Sequence, residues 1–212
     1  MTKTIVCFGD SNTHGTPPMR LLSDDARFGP DIRWPQRMAR QLGPEWHLVE
    51  EGHPGRNTVF DDPIEGEHRN GFRVLPAIIE SHKWIDVLVI MLGTNDCKQR
   101  FGLTTLDIAL GMGRLVDLVK ASPYVHDVLV VCPPPVLERG ALAEIFQGAE
   151  KRCEGLADKM RRVAQFRQAH FFNAGDVIAC DPLDGVHFSE EAHADLGTAI
   201  AAKVSEIGEK GG

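Results

Sequence analysis

Three short stretches hold the residue types best suited to chemistry. Gly9-Asp10-Ser11 places a hydroxyl two residues after a glycine that permits a tight turn. A serine presented there aims its backbone N–H and its hydroxyl into the same space, which suits a nucleophile that also helps to bind an oxyanion. Gly93-Thr94-Asn95-Asp96 offers the Asn95 side-chain amide as a donor to developing negative charge. Asp184-Gly185-Val186-His187 spaces a carboxylate and an imidazole three residues apart, so that in a turn both face one cleft. His187 can then take the Ser11 proton while Asp184 binds the other ring nitrogen and selects the tautomer. Read singly, each stretch is also an ordinary strand-end turn or helix cap. Read together, they supply nucleophile, oxyanion donor, base and orienter. A rival reading makes Asp10, Asp96, Asp184 and His187 ligands of a hard cation, in a phosphoesterase or a binding protein without catalysis. That reading leaves Ser11 and Asn95 without a purpose. Asp10 and Asp96 read as scaffold acceptors, and His14 and His53 as solvated loop histidines or cleft residues.

The elements that must position these residues are visible in the apolar patterning. Residues 4–8, 86–92 and 128–132 are short apolar runs of the kind that strands buried on both faces require. Residues 47–50 and 171–172 read as weaker strands. Helical spacing is seen over 33–42, 71–82, 104–121 and 140–168, and Ser189 is placed to cap a last helix. Residues 31–34 read as packing and capping at a helix start. Strands alternating with helices imply a parallel sheet covered on both faces, with its site beyond the C-terminal ends of the strands. Each of the three polar stretches stands just past such a strand or just before the last helix. No repeat or linker interrupts the chain, so one domain over residues 1–212 is expected, with a frayed end from Gly208.

Composition narrows the class. The 212 residues carry 23 Lys and Arg against 30 Asp and Glu, a formal charge of −7. An acidic chain has no bulk attraction for nucleic acid or anionic membrane. No run approaches the ~20 apolar residues that span a bilayer, and the start of the chain lacks the apolar core of a secretion signal. The five cysteines are odd in number and none forms a Cys-x-x-Cys pair. Free buried thiols in a reducing, cytoplasmic setting are therefore expected, rather than disulfides or a zinc site.

The ordered set Gly9-Asp10-Ser11, Gly93-Thr94-Asn95-Asp96 and Asp184-Gly185-Val186-His187 resembles that of the SGNH (GDSL-type) hydrolases. The family's second motif falls in Glu51-Gly52-His53-Pro54-Gly55-Arg56-Asn57, altered in form, with Gly55 the best match. The resemblance implies a three-layer α/β/α sandwich around a five-stranded parallel sheet, flavodoxin-like in order. It also implies a Ser11–His187–Asp184 triad and an oxyanion hole made by Ser11, Gly55 and Asn95. Residues 7–11, 31–34, 91–96 and 106–112 resemble a bacterial arylesterase/acyltransferase branch of that family. That likeness implies a cofactor-free, metal-free intracellular esterase of small esters, able to pass the acyl group to alcohols or peroxide. It implies an octamer in which residues 133–150 wall neighbouring pockets, and it makes Asn12, Thr94, Phe146 and Val186 candidates for contact with substrate. Carbohydrate O-deacetylation is the alternative within the family.

Overall fold

Residues 2–210 are described by a computed structural model. The three strongest apolar runs form the centre of its sheet: β1 (Lys3–Gly9), β3 (Ile85–Met91) and β4 (Val125–Cys132). The weaker runs form its edges, β2 (Trp46–Gly52) and β5 (His170–Asn173), whose residues are mostly half-buried. All pairings are parallel, in the order β2-β1-β3-β4-β5. The alternation of side chains along each strand decides what the helices cover. Val6, Phe8, Leu88, Ile90 and Val130 face α3 (Gly71–Ser81), α4 (Thr105–Ala121) and α6 (Leu156–Phe166). Ile5, Cys7, Val87, Val89, Leu129 and Val131 face α2 (Trp34–Leu42) and α7 (Glu190–Lys210). The result is the expected α/β/α sandwich.

Two expectations change. The helical pattern over 140–168 is broken into a 3-10 turn (Gly140–Leu142), α5 (Ala149–Cys153) and α6. Gly148 and Gly155 cause the breaks: both adopt positive φ, 78° and 69°, which ends one helical segment and redirects the chain. At the C-terminus, α7 continues through Lys210 instead of fraying at Gly208; Gly211 and Gly212 lie outside the described residues. Ser189 does cap α7, its Oγ accepting from the Ala192 N–H at 3.2 Å. Arg33 does not cap α2; its guanidinium grips Glu50 with two hydrogen bonds, 2.9 and 2.8 Å. No helix among the described residues is long and apolar enough to cross a membrane.

The strand order sets the site. The chain leaves β1 for β2 on one side and returns to β3 on the other, so a crevice opens where the winding reverses. Gly9 is in register with both Gly52 and Met91, which brings the ends of β1, β2 and β3 level.

Candidate active site

Ser11 opens a single helical turn, α1 (Ser11–His14), directly after β1. Asp10 caps that turn by accepting the Asn12 N–H at 3.0 Å. The Ser11 N–H lies in the first turn, where helix geometry supplies no intrahelical acceptor. Its Oγ is 3.1 Å from His187 Nε2, and His187 Nδ1 is 2.6 Å from Asp184 Oδ2. The three side chains therefore form one hydrogen-bonded line, drawn from opposite ends of the chain.

Asp184 is held from several directions. Its Oδ1 accepts the N–H groups of Val186 and His187, each at 2.9 Å, and its Oδ2 also accepts the Met19 N–H at 2.7 Å. Burial would raise its pKa, but the His187 ring and these N–H donors outweigh burial and hold the carboxyl below its ordinary value. It stays ionised and keeps the proton of His187 on Nδ1, which leaves Nε2 as the acceptor facing Ser11.

Asn95 lies in a 3-10 turn (Asn95–Cys97) after β3. Its Nδ2 donates to Asp10 Oδ2 at 3.3 Å and to the Arg56 carbonyl at 3.2 Å. Both contacts are long, so one can be exchanged for an oxyanion. Gly55 follows β2 with φ 75°, and its open face lies against the Glu65 carboxylate and the Arg69 side chain. The altered motif thus keeps the glycine where the backbone conformation favours it.

Ser11, Gly55, Asn95 and His187 open onto one cavity of about 420 Å³. Met19, Leu22, Leu142, Ile145, Phe146 and Val186 supply its apolar lining, and Glu65, Arg69, Lys98, Asp24 and Asp25 its charged lining. Lys98, almost wholly buried, is 2.6 Å from Glu65 Oε1. Of the four residues expected to touch substrate, Phe146 and Val186 line the cavity. Asn12 and Thr94 do not. Asn12 is turned away and donates to the Val186 carbonyl at 3.1 Å, while the Thr94 side chain is spent on hydrogen-bonding Asp10. His14 lines the cavity; His53 stands behind it, 2.7 Å from Arg69 Nη1. Residues 142, 145 and 146 wall the cavity of their own chain.

The two remaining acids are scaffold. Asp96 accepts the Thr58 hydroxyl at 2.5 Å and the Thr58 N–H, tying the β3 turn to the segment after β2. Burial pushes both Asp10 and Asp96 up to about 6, against the pull of their hydrogen bonds. Asp10, Asp96, Asp184 and His187 do not gather as cation ligands: among the described residues no three His, Cys, Asp or Glu side chains form a metal-binding group. Sequence reasoning missed Met19, Glu65, Arg69 and Lys98. Only Lys98 left a trace, one residue past Cys97 in the continuation of the Asn95 motif.

The GDSL-like lipase/acylhydrolase family model matches residues 7–194. This chain belongs to that family. The hydrolase is 41% identical to the aryl esterase of M. smegmatis, with a TM-score of 0.92 over 97% of this chain and 99% of that one. It is 39% identical to a carbohydrate acetylesterase from Sinorhizobium meliloti, TM-score 0.92, over 97% of this chain and 100% of the other. A putative arylesterase from Agrobacterium tumefaciens is 34% identical, TM-score 0.87, over 97% and 100% of the two chains. No curated protein sequence matches it. Family and neighbours together make the protein an esterase-type hydrolase.

Proposed function

We propose that the protein hydrolyses small carboxylic esters through a Ser11–His187–Asp184 triad and an acyl-enzyme. One observation carries the reading: the unbroken line from Asp184 through His187 to Ser11 ends on a cavity that Gly55 and Asn95 also line. Ser11 Oγ attacks the ester carbonyl as His187 Nε2 takes its proton. Asp184 stabilises the imidazolium and stays ionised. The carbonyl oxygen, now an oxyanion, accepts from the N–H groups of Ser11 and Gly55 and from the Asn95 amide, which gives up one resting contact. His187 returns the proton to the leaving alkoxide. Water then attacks the acyl group, with His187 again as base; an alcohol or peroxide admitted to the same cavity would take the acyl group in its place. The apolar lining residues of the cavity suit a short acyl chain and the charged ones a polar alcohol.

A serine-directed organophosphonate tests this. It should label Ser11 alone and abolish p-nitrophenyl acetate hydrolysis, and EDTA should leave the activity unchanged. Retained activity in the labelled protein, or loss in EDTA, overturns the mechanism. A second reading, carbohydrate O-deacetylation, is favoured by the charged groups Glu65, Arg69, Lys98, Asp24 and Asp25 in the lining of the cavity, since side chains of this kind bind hydroxyl-rich alcohols. Greater kcat/KM on an acetylated sugar than on an aryl acetate selects it. Assembly into a homo-oligomer, an octamer by resemblance, belongs to the proposal as well. Light scattering at a mass well above the 23.4 kDa chain would support it.

A further inference from the structure

Cys97 and Cys153 take no part in the chemistry above, yet their sulfurs stand 3.7 Å apart. Cys97 closes the 3-10 turn that carries Asn95, and Cys153 ends α5. The sequence gives no hint of the pairing, because 55 residues separate them. Cys97 is fully enclosed and donates to the Gly93 carbonyl at 3.5 Å. Cys153 is different: it lines a second cavity, about 340 Å³, with Cys132, Pro133, Pro135 and Arg161. That cavity shares no lining residue with the catalytic one. A small solute can therefore reach Cys153 without entering the ester site.

The surroundings divide the roles of the two thiols. Cys153 Sγ accepts the Val136 N–H at 3.4 Å. Arg152 lies alongside, its Nε and Nη2 donating to the Cys97 carbonyl at 3.0 and 2.8 Å. The hydrogen bond with Cys97, the Val136 N–H and the Arg152 charge together hold the Cys153 thiol below its ordinary pKa. The same pairing and burial push Cys97 up. Cys153 lines the cavity while Cys97 is enclosed, which makes Cys153 the attacking thiol and Cys97 the resolving one.

We propose that Cys97 and Cys153 form a dithiol site for hydroperoxides, and that its closure to a disulfide lowers turnover by displacing the Asn95 turn. The Cys153 thiolate attacks one peroxide oxygen. The O–O bond breaks, the second oxygen leaves as hydroxide or alkoxide and takes up a proton, and Cys153 becomes a sulfenic acid. Cys97 then gives up its proton and attacks that sulfur. The S–O bond breaks, hydroxide leaves with the Cys97 proton as water, and the S–S bond forms. The two sulfurs lose two electrons in all, and the peroxide gains them. Forming the bond draws α5 toward the 3-10 turn, and Asn95 is two residues from the anchored Cys97. The effect on turnover rests on the esterase reading; the bond itself does not.

Graded hydrogen peroxide on the purified protein tests both parts. The intact mass should fall by two hydrogen atoms, and peptide mapping should join the Cys97 and Cys153 peptides. Hydrolysis of p-nitrophenyl acetate should drop about tenfold, a fraction of what full loss of one oxyanion donor costs. Dithiothreitol should restore both. Cys153→Ser should keep the reduced protein's activity and resist peroxide, and Cys97→Ala should leave a dimedone-reactive sulfenic acid at Cys153. Absence of the Cys97–Cys153 link at doses that oxidise other thiols overturns the site. Full activity in the linked protein, or equal peroxide sensitivity in Cys153→Ser, overturns the effect on turnover. The mass readout needs no ester chemistry, so failure of this site and failure of the esterase reading are told apart.

Discussion

The floor of the catalytic cavity and its walls are built in different ways. The floor residues Ser11, Asn95, Asp184 and His187 each stand in a turn of a few residues beside a strand end or a helix start. The walls come from residues 16–26, 54–69 and 142–146, lengths of chain with little regular structure. The floor is buried and cross-braced: Asp10 joins α1 to Asn95, and Asp96 joins the β3 turn to Thr58. Two bonds link the two regions at the Ser11–His187–Asp184 line itself, from the Met19 N–H of the wall to Asp184 and from the Thr16 N–H to the Ser11 carbonyl. The comparison teaches where chemistry and selectivity reside. On the proposed mechanism, reaction type is set by short turns on the sheet, and substrate shape by loops that the sheet carries.

Substitutions can break or sharpen this contrast. The largest effect is expected at the floor. Ser11→Ala should lower kcat for p-nitrophenyl acetate by roughly 10⁴-fold or more, because triad members act as a unit, with thermal unfolding little changed. Substantial remaining turnover would remove Ser11 from the nucleophile role. Asn95→Ala comes next, at about 10²–10³-fold in kcat. A change confined to KM would make Asn95 a ground-state contact.

The bracing beneath the floor should show in the pH dependence of stability. Asp10 and Asp96 have folded-state values raised from 3.8 to about 6, so the folded protein binds more protons than the unfolded chain between those limits. Their contribution is fully present below about 4 and is lost as pH rises through about 6. Asp184 has the opposite sign: its depressed value stabilises at neutral pH and is lost only as pH falls through its folded-state value, below 3.8. His193, lowered from 6.5 to about 4 by burial, acts in the opposite sense over the same range, so the carboxyl contribution is read against an Asp96→Asn variant: in urea unfolding the wild type should gain stability relative to that variant as pH falls from 7 to 5. A difference between wild type and variant that stays the same at the two pH values would show that Asp96 is not held protonated. The smallest effect belongs to the wall. Phe146→Ala should raise the hexanoyl-to-acetyl ratio of kcat/KM roughly fivefold with kcat on acetyl esters nearly kept. An unchanged ratio would take Phe146 out of the acyl side.

How much was legible in the sequence follows the same division. The apolar runs at 86–92 and 128–132 could only be buried strands, and Gly9-Asp10-Ser11 could be located at a strand end from neighbouring residues alone. Helical periodicity over 140–168 misled, because apolar spacing does not record backbone conformation, and positive φ at Gly148 and Gly155 ends the helical segments. Asn12 and Thr94, next to Ser11 and Asn95 in the chain, were candidates for substrate contact through the family likeness. Adjacency in sequence does not fix direction, and both side chains are spent on internal hydrogen bonds.

The sequence by itself determined the layered α/β fold, the family and the short turns that hold Ser11, Asn95, Asp184 and His187. Each of these depends on periodicity or on residues within a few positions of one another, so local patterning suffices. Only the tertiary structure decided that Met19 braces Asp184, that Glu65, Arg69 and Lys98 share a cavity with Phe146, and that Cys97 meets Cys153. Those contacts join segments tens to more than a hundred residues apart. Their geometry is set by how helices and loops settle on a finished sheet, and no local pattern records it.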